Sequence, residues 1–418
     1  MTAVPTDAAQ WATDSNDALH LSMVRAQEDK DVLGEEERES FEEFHPTFTY
    51  PIFGEEEKIY GYRDMRVDLK FASGSLQHYI NIQYSAALPK TRDDVEGTLY
   101  KFVPSDYLKS ESDFLKRVEQ DALSFRPLGT KIASYTRRAE SAKGKGKGKT
   151  RADEPVDEED EDTVTYEVYH ATMATPGFRD YHRRMQIFIL LYIEAGSYIQ
   201  EEDDRWEFVV LYEKRKRKDA ARTPVYHFVG YSSLYPFWCW PDHIRLRLSQ
   251  FVILSPYQRH GHGSDLYNAL YRYLLTREDV TELTIEDPAE AFEDLRDKND
   301  LKMLLSNVEF FKEGYGELPA KKGKLGPPAD KAWVEHWRLK LKIAKRQFQR
   351  LTEMLILRKL NPADTKATRA FRLQVKERLY RFNFDALVQL DKDERLEKLE
   401  ATYQNVRDGY QQILERVQ

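Results

Sequence analysis

The sequence predicts a mixed α/β fold followed by a helical C-terminal region, and three patterns carry this prediction. Apolar and polar residues alternate over residues 65–71 and 79–84, which is typical of half-buried strands. An apolar strand at 248–254 leads into a glycine-broken turn and a helix at 265–275, and a second short strand follows at 282–285. This order predicts a crossover unit whose two strands end at one crevice of a sheet. Towards the C-terminus, charged helix-forming residues replace the alternation.

Length and composition indicate an intracellular protein with two or three domains. The chain has 418 residues, of which 41% are hydrophobic, and this is enough to build more than one core. Its one cysteine, Cys239, excludes an internal disulfide and suits a reducing compartment. Because Cys239 lies between Trp238 and Trp240, we expect a packed thiol rather than a nucleophile.

Charge and hydropathy narrow the classes of partner. The N-terminus shows no basic-then-apolar pattern, so secretion is not expected, and the longest apolar run, residues 185–193, is too short to span a bilayer. The net charge of −8 favours a basic partner over a nucleic acid. We therefore expect neither a membrane nor direct contact with nucleic acid.

The first domain is expected at residues 1–170. A polar, frayed tail opens it, and the two alternating strands follow. Helical patterns at 95–102 and 113–123 complete a mixed α/β region.

Two charged segments each allow two interpretations. Residues 139–163 contain a Lys-Gly run at 143–149 and an acidic run at 157–162, and predict a disordered loop at a hairpin tip. This loop is either a docking or import tract or a solvated insertion. The basic run at 214–218 lies between two predicted strands, so it is either a charged hairpin turn or an import signal.

The turn at residues 258–264, here called the glycine loop, is the first candidate site. Its sequence is Gln258-Arg259-His260-Gly261-His262-Gly263-Ser264. Glycine lets the backbone approach a phosphate without an intervening Cβ, and the start of the following helix attracts anions. The Q-x-x-G-x-G spacing predicts a pyrophosphate site, with a plain turn as the alternative. His260 and His262 are interpreted as loop residues, so no metal site is predicted.

Two carboxylates at the end of the second crossover strand form the second candidate site. Glu286 and Asp287 follow the strand at 282–285, and one of two paired acids can act as a general base. The alternative is that they cap a helix predicted at 289–305. Adjacent residues rarely face one crevice, so the residues alone favour Glu286 as the base and Asp287 as a cap.

These segments resemble the catalytic subunits of type B histone acetyltransferases, of fungal type, in the GCN5-related N-acetyltransferase (GNAT) superfamily. The resemblance is carried by the strand and glycine loop at 249–263, the acids at 284–288, and the segments 295–297, 53–57 with 61–62, 94–97, 125–129, 178–182, 193–195 and 204–206. It runs, with gaps, from about residue 44 to residue 304. It implies a GNAT acetyl-CoA-binding catalytic domain at residues 171–315.

The resemblance also implies a reaction. The co-substrate would be acetyl-CoA, without a metal. The residues implied to hold it are Phe251, Val252, Ile253, Gln258, Arg259, His260, Gly261, His262, Gly263 and Ser264. Backbone N–H groups of 251–253 would bind the pantetheine arm and polarise the thioester oxygen. Glu286 would take a proton from a lysine ammonium, with Asp287 and Glu194 as charge partners.

The substrate lysine is implied to lie against acids and rings. Glu194 is expected near the C-terminal end of the first long helix of the core, where an acid is unfavourable for the helix dipole. The residues expected to contact substrate are Glu55, Glu56, Glu57, Trp206, Tyr235, Pro236 and Phe237. Rings suit the lysine stem and acids hold its ammonium, with core packing as the alternative for Trp206.

The third domain is expected at residues 316–418. Apolar residues recur at steps of three and four from Val334 to Leu355 and predict one helical seam, which Asn361-Pro362 ends. A further helical series is expected from residue 365. Intramolecular packing is the favoured role, and a partner-binding surface is the alternative.

Substrate, partner and location follow from the resemblance alone. It implies acetylation of lysines in the N-terminal tail of newly made histone H4, a WD-repeat β-propeller subunit that binds histones, and residence in nucleus and cytoplasm. The alternatives are a GNAT enzyme for another protein or a small amine, and a non-catalytic histone chaperone.

Overall fold

The structure is a computed structural model that describes residues 9–139, 163–217, 219, 221–316 and 323–417. The first eight residues and the Lys-Gly and acidic runs of the predicted loop lie outside the described residues. The chain divides into two compact units, Met1–Tyr235 with Leu248–Ala269, and Pro236–Arg247 with Leu270–Gln418. These boundaries differ from those of the three expected domains, whose division stays a prediction.

The mixed α/β class with a helical C-terminal region is confirmed. The strands are β1 Ala12–Asp14, β2 Leu19–Val24, β3 Lys58–Tyr60, β4 Tyr62–Arg63, β5 Arg66–Ala72, β6 His78–Gln83, β7 Ala86–Ala87, β8 Thr130–Arg138, β9 Thr163–Thr172, β10 Glu207–Lys216, β11 Pro224–Cys239, β12 His243–Ile253 and β13 Val280–Ile285. The helices are α1 Ser15–Ala18, α2 Gln27–Lys30, α3 Glu35–Glu42, α4 Tyr50–Phe53, α5 Val95–Leu99, α6 Glu111–Ser124, α7 Phe178–Met185, α8 Ile187–Tyr192, α9 His262–Thr276, α10 Glu290–Ser306, α11 Val308–Tyr315, α12 Lys331–Lys340, α13 Lys345–Lys359, α14 Thr365–Phe382, α15 Phe384–Leu387 and α16 Lys392–Arg416.

The strands predicted at 65–71 and 79–84 are β5 and β6 of a three-stranded sheet in the first unit. β5 is the central strand, with β2 parallel on one side and β6 antiparallel on the other. Val67, Leu69 and Phe71 are fully buried on β5, as the alternation predicts.

Both predicted N-terminal helices are present as α5 and α6. α6 begins after Ser110, whose hydroxyl accepts the N–H of Asp113 at 3.4 Å and so satisfies one free donor of the first turn. Its buried Phe114 stacks on Tyr79 of β6 with ring centroids 5.6 Å apart.

The larger sheet of the first unit carries β12, β11, β10, β9 and β8 in that order. β9 runs antiparallel to both β8 and β10, and β10 antiparallel to β11. β10 is fully buried from Phe208 to Tyr212, which is typical of a strand covered on both faces. β8 is the last strand in this order and forms an edge of the sheet.

The basic residues 214–216 belong to the end of β10, and Lys218 lies outside the described residues. Arg215 is paired with Glu213 and Glu37, and Nε of Arg217 lies 2.8 Å from Asp29. Lys214 Nζ lies 2.8 Å from Glu167. Lys214, Arg215 and Arg217 are therefore held in ion pairs, which favours the charged hairpin over an exposed import signal.

The first long helix of the core is divided in two, and this corrects the expectation for Glu194. α7 ends at Met185 and α8 at Tyr192. Glu194 lies in the turn after α8 rather than in its last turn, and the next residue, Ala195, has a φ of 54°.

In the second unit, β13 lies beside the first half of β12. Ile244 N–H donates to the Asp279 carbonyl at 2.8 Å, and the Thr281 hydroxyl donates to the Ile244 carbonyl at 3.1 Å. The strand predicted at 282–285 is β13, Val280–Ile285, and the helix predicted at 289–305 is α10, which begins at Glu290.

The single helical seam predicted from Val334 to Leu355 is wrong. Two helices, α12 and α13, share the buried apolar residues, and between them the chain turns at Leu341 and Lys342, where Lys342 has a φ of 53°, so that Ile343 forms a bridge to Leu283 of β13. Leu283 N–H donates to the Lys342 carbonyl at 2.9 Å, and Ile343 is buried. This pairing with a strand overrides the helical pattern at that point.

Among the described residues, we find no helix long and apolar enough to cross a membrane.

Candidate active site

The glycine loop takes a backbone shape that few side chains tolerate. Arg259 has a φ of 64° and Gly261 a φ of 87°. α9 begins at His262, three residues earlier than predicted, and its first hydrogen bond runs from Asp265 N–H to the Gly261 carbonyl at 3.2 Å. His262, Gly263 and Ser264 therefore form the first turn of the helix, where backbone N–H groups lack partners within the helix.

Gln258 closes the loop back onto the strand that precedes it. Its side-chain Nε2 donates to the Ile253 carbonyl at 2.8 Å. Val252 and Ile253 are buried, and Phe251 is half-buried. The glutamine of the motif thus holds the loop against the strand, while Arg259, His260 and Gly261 are exposed.

His262 anchors the loop, a role that its sequence position did not reveal. Its side chain is buried, its Nδ1 lies 2.8 Å from the Tyr135 hydroxyl, and its ring lies 4.4 Å from that of Tyr166. Burial raises the pKa of Tyr135, so the hydroxyl keeps its proton while it is hydrogen-bonded to the imidazole. The start of α9 is held to β8 and β9 in this way.

A buried ionic group lies under the turn before the loop. The Tyr257 hydroxyl donates to Glu213 at 2.5 Å, and the Arg25 guanidinium donates to both oxygens of Glu213 at 3.0 and 2.9 Å. Burial opposes the charge on Glu213, but Arg215 and Arg25 outweigh it and hold the pKa of the carboxyl well below its usual range. The turn is therefore tied to β10 and to the end of β2.

In the second unit, Glu286 and Asp287 follow β13 and are exposed. The capping alternative is wrong for both, because the residue that caps α10 is Ala289 and no side chain donates or accepts there. Asp287 has a φ of 30°, which turns the chain sharply between strand and helix. The two carboxylates are left available for another role.

Arg247 orients Glu286. Its Nη1 lies 3.1 Å from Oε1 of Glu286, and its guanidinium stacks 4.5 Å from the ring centre of Phe237. Glu286 is 39% exposed and Arg247 32% exposed, so the pair is open to solvent and to an incoming cation. Phe237 is itself exposed, whereas Pro236 before it is half-buried.

The three acids expected to bind the substrate tail have different surroundings. Glu57 accepts the N–H groups of Thr49 and Tyr50 at 2.7 and 3.1 Å, which ties down the start of α4. The bond from Thr49 above all lowers the pKa of Glu57. Glu56 accepts the hydroxyl of Tyr60 at 2.5 Å, and Glu55 is exposed.

Trp206 and Tyr235 lie together in the first unit, with ring centroids 4.8 Å apart. Both are half-buried, so neither is a plain core residue. The Tyr235 hydroxyl donates to Asp203 at 2.8 Å, and the Arg205 guanidinium lies 4.8 Å from the Tyr235 ring centre. A bond from Arg205, followed by the one from Tyr235, lowers the pKa of Asp203, so an ionised carboxylate borders the pair of rings.

Glu194 is exposed in its turn. The hydroxyl of Tyr50 accepts the N–H of Ala195 next to it. The turn that carries Glu194 is thus fixed to α4, which Glu57 also supports.

His20, Glu43 and His45 approach one another although no sequence spacing suggested it. One ligand atom from each lies within 4.8 Å of the other two. Arg66 lies 3.0 Å from Glu43 and balances its charge, so we interpret the group as an ion-pair cluster.

Comparison with known proteins identifies the family. The family described as "Histone acetyl transferase HAT1 N-terminus" matches residues 11–194, and "Fungal HAT1, C-terminal" matches residues 297–361. A histone acetyltransferase type B catalytic subunit of Cryptococcus neoformans var. neoformans serotype D is 53% identical over 414 residues, which cover 97% of each chain. The chain belongs to this family.

More distant relatives of the same name agree. The proteins of Mycosarcoma maydis and Candida albicans are 46% and 34% identical, over 88% and 97% of this chain and 82% and 90% of their own. This type B histone acetyltransferase subunit is thus an acetyltransferase enzyme, and its family implies acetyl-CoA as co-substrate. The resemblance stated from the sequence is confirmed.

The glycine loop fits that co-substrate. Gly261 has a positive φ and is exposed, and a helix begins directly after it; a pyrophosphate site needs these features. The individual contact residues stay predictions.

Proposed function

We propose that this enzyme transfers the acetyl group of acetyl-CoA to the ε-amine of lysines in the N-terminal tail of histone H4, with Glu286 as the general base. One observation carries the choice of base. Glu286 is exposed at the end of β13, plays no part in capping α10, and is oriented by Arg247 at 3.1 Å. A carboxylate that is held in place but open to an ammonium suits proton abstraction.

The mechanism follows from the chemistry of lysine. Its amine titrates near ~10.4 in water, so it arrives protonated and without a nucleophilic lone pair. Glu286 takes the ammonium proton, directly or through one water, and the free amine attacks. When bound, acetyl-CoA supplies a thioester whose carbonyl carbon forms the new C–N bond while the C–S bond breaks. The nitrogen then loses its second proton, which goes to the departing thiolate to give the thiol. Glu286 then passes its proton to solvent.

Other residues position the reactants. Asp287 and Glu194 are exposed carboxylates that would hold the ammonium as charge partners. Backbone N–H groups of 251–253 would bind the pantetheine arm, and one would polarise the thioester oxygen as an oxyanion site. The glycine loop would hold the pyrophosphate through backbone N–H groups at the start of α9.

The surface chemistry supports a basic tail as substrate. Glu55 is exposed, Trp206 and Tyr235 form a half-buried ring pair, and Asp203 beside them is ionised. Rings pack against a lysine stem and carboxylates attract its flanking basic residues. The net charge of −8 acts in the same direction at longer range.

Two further proposals rest on the resemblance alone. A WD-repeat β-propeller that binds histones would be the partner subunit, and the enzyme would act in both nucleus and cytoplasm on newly made histone.

Release of free thiol from acetyl-CoA tests the proposal against its alternatives. We expect release with a histone H4 tail peptide, and none with the same peptide after replacement of its lysines by arginine, which keeps the charge. Equal release with a small amine such as spermidine would instead indicate another GNAT enzyme. Peptide binding by fluorescence anisotropy without thiol release would indicate a non-catalytic histone chaperone.

A further inference from the structure

Arg137 reaches the glycine loop from the edge strand β8, far away in the sequence. Arg137 is the last residue but one of β8, and its guanidinium donates to the carboxylate of Asp265 in the first turn of α9. The two residues are 128 positions apart. Tyr135, on the same face of β8 two residues earlier, holds His262 at 2.8 Å. One strand face therefore supplies both an anchor and a cation to the start of the helix.

The guanidinium lies over the glycine that the loop motif requires. A Cβ built at Gly261 would come 2.9 Å from Nη2 of Arg137, 3.4 Å from Nη1 and 3.6 Å from Cζ, and these are its three nearest neighbours. The space that a side chain would fill at this position is thus bordered by a positive charge. A phosphate that enters this space would meet the guanidinium.

Asp265 explains why a cation is needed here. A carboxylate in the first turn of a helix is favoured by the helix dipole, but it repels a pyrophosphate that approaches the same end. Arg137 neutralises it, and a guanidinium can bind two anions at once because its five N–H donors point along separate edges. The side chains of Arg137 and Asp265 are 32% and 33% exposed, so the pair is within reach of a ligand.

We propose that Arg137 binds the pyrophosphate of acetyl-CoA while it retains Asp265 on its other edge. The inference rests on the proposed function, since it takes the glycine loop as the acetyl-CoA site. It adds to that site a side-chain contact, from a strand outside the crossover unit, that no motif in the sequence marks.

Calorimetric titration with a series of thioesters tests the assignment. Acetyl-CoA carries the pyrophosphate and a 3′-phosphate, acetyl-dephospho-CoA only the pyrophosphate, and acetyl-pantetheine neither. Arg137→Gln should raise the Kd of the first two by about 10- to 100-fold, as for one lost charge-assisted hydrogen bond. It should leave acetyl-pantetheine unchanged, and Arg137→Lys should recover part of the loss.

Two controls separate contact from indirect effects. Arg138→Gln removes the same charge from the neighbouring position of β8, which points to the other face, and should change none of the three constants. The double variant Arg137→Gln with Asp265→Asn removes both charges. Its Kd for acetyl-CoA should stay raised if Arg137 touches the pyrophosphate. A return to the wild-type Kd would show that Arg137 only neutralises Asp265.

The outcomes distinguish this inference from the function on which it rests. Wild-type protein that fails to bind acetyl-CoA would overturn the proposed function itself. Normal wild-type binding with an equal loss for all three thioesters in Arg137→Gln would show a damaged loop and overturn the inference. A loss of affinity confined to acetyl-CoA would show that Arg137 contacts the 3′-phosphate, and would overturn the inference.

Discussion

The hydroxyl of Tyr257 donates a 2.5 Å hydrogen bond to the carboxylate of Glu213, which lies 44 positions earlier in the chain. Tyr257 directly precedes the glycine loop, and Glu213 lies in β10 with no exposed surface. The same carboxylate pairs with Arg25, so one buried anion joins β2, β10 and the turn before the loop. This buried ionic group therefore holds the glycine loop in place.

Glu213→Gln should destabilise the protein by about 3–5 kcal/mol at neutral pH, because it leaves a buried guanidinium without its counter-charge. The pKa of Glu213 is depressed in the folded state. Its contribution is therefore fully present above the unfolded value of about 4.3 and is lost as the pH falls through the folded value. The difference in Tm between wild type and variant should be constant from pH 7 to pH 5 and shrink below that, as measured by circular dichroism.

Glu43→Gln is the matched control for this experiment. Glu43 also pairs with an arginine, Arg66, but is 47% exposed, and exposed ion pairs contribute about 1 kcal/mol or less. A Tm loss for Glu213→Gln no larger than that of Glu43→Gln would contradict the structural role of the buried group.

Gly261→Ala should weaken acetyl-CoA binding at least about 10-fold. The new Cβ would enter the space beside Arg137, 2.9 Å from its Nη2, and would occupy room that a phosphate needs. The positive φ of 87° adds roughly 1–2 kcal/mol of backbone strain. Titration calorimetry and the Tm report the two effects separately.

Gly54→Ala controls for strain alone. Gly54 has a φ of 90°, but a Cβ there meets nothing within 4 Å. We expect a similar loss of Tm and unchanged affinity for acetyl-CoA. Equal affinities for the two alanine variants would remove Gly261 from the acetyl-CoA site.

Local patterns in the sequence predicted the elements well where local forces decide them. The strands β5 and β6, the helix α6 and the order β12, α9, β13 all follow from residue periodicity and capping residues. The seam from Val334 to Leu355 failed because the chain turns at residues 341–342 and Ile343 pairs with Leu283 of β13, and no periodicity records a pairing with a distant strand.

The glycine loop and the acid pair could be predicted from the sequence, but the distant residues that hold the loop in place could not. A glycine motif and an acid pair stand close together in the sequence and were found by spacing and resemblance. Arg137 lies 128 positions from Asp265, and Arg25 lies 188 positions from Glu213. Such pairs are fixed by the fold, so only the structure could show that His262 is an anchor and that Glu57 supports α4.

Glu57 and Glu55 should differ in function, the first in stability and the second in substrate binding. Glu57→Gln should lower the Tm and leave the KM for a histone H4 peptide nearly unchanged, because Glu57 accepts backbone N–H groups of Thr49 and Tyr50. Glu55→Gln should raise that KM, more at 50 mM than at 300 mM salt, since exposed charges are screened. Identical salt dependence in wild type and Glu55→Gln would leave Glu55 as solvated surface.

Glu286→Gln should lower kcat by about 10²- to 10⁴-fold at neutral pH, since the amide keeps the shape but accepts no proton. The Kd for acetyl-CoA should change little, because the glycine loop binds through backbone groups. The rate of the variant should rise steadily with pH towards the ~10.4 of free lysine, because only lysine that has already lost its proton in solution can then attack, and the wild-type rate should depend less steeply on pH. Stopped-flow and steady-state assays from pH 5.5 to 9.5 report both profiles.

Three variants decide whether Glu286 acts alone. Asp287→Asn and Glu194→Gln should cost less than Glu286→Gln if they only hold the ammonium, and as much if the proton is shared among the acids. Arg247→Gln removes the 3.1 Å partner of Glu286 but no carboxylate, so it should lower kcat through orientation while the shape of the pH profile stays that of wild type. A folded Glu286→Gln enzyme that binds acetyl-CoA and turns over within about threefold of wild type would exclude Glu286 as the base, and with capping of α10 already excluded, would leave its ion pair with Arg247 as its role.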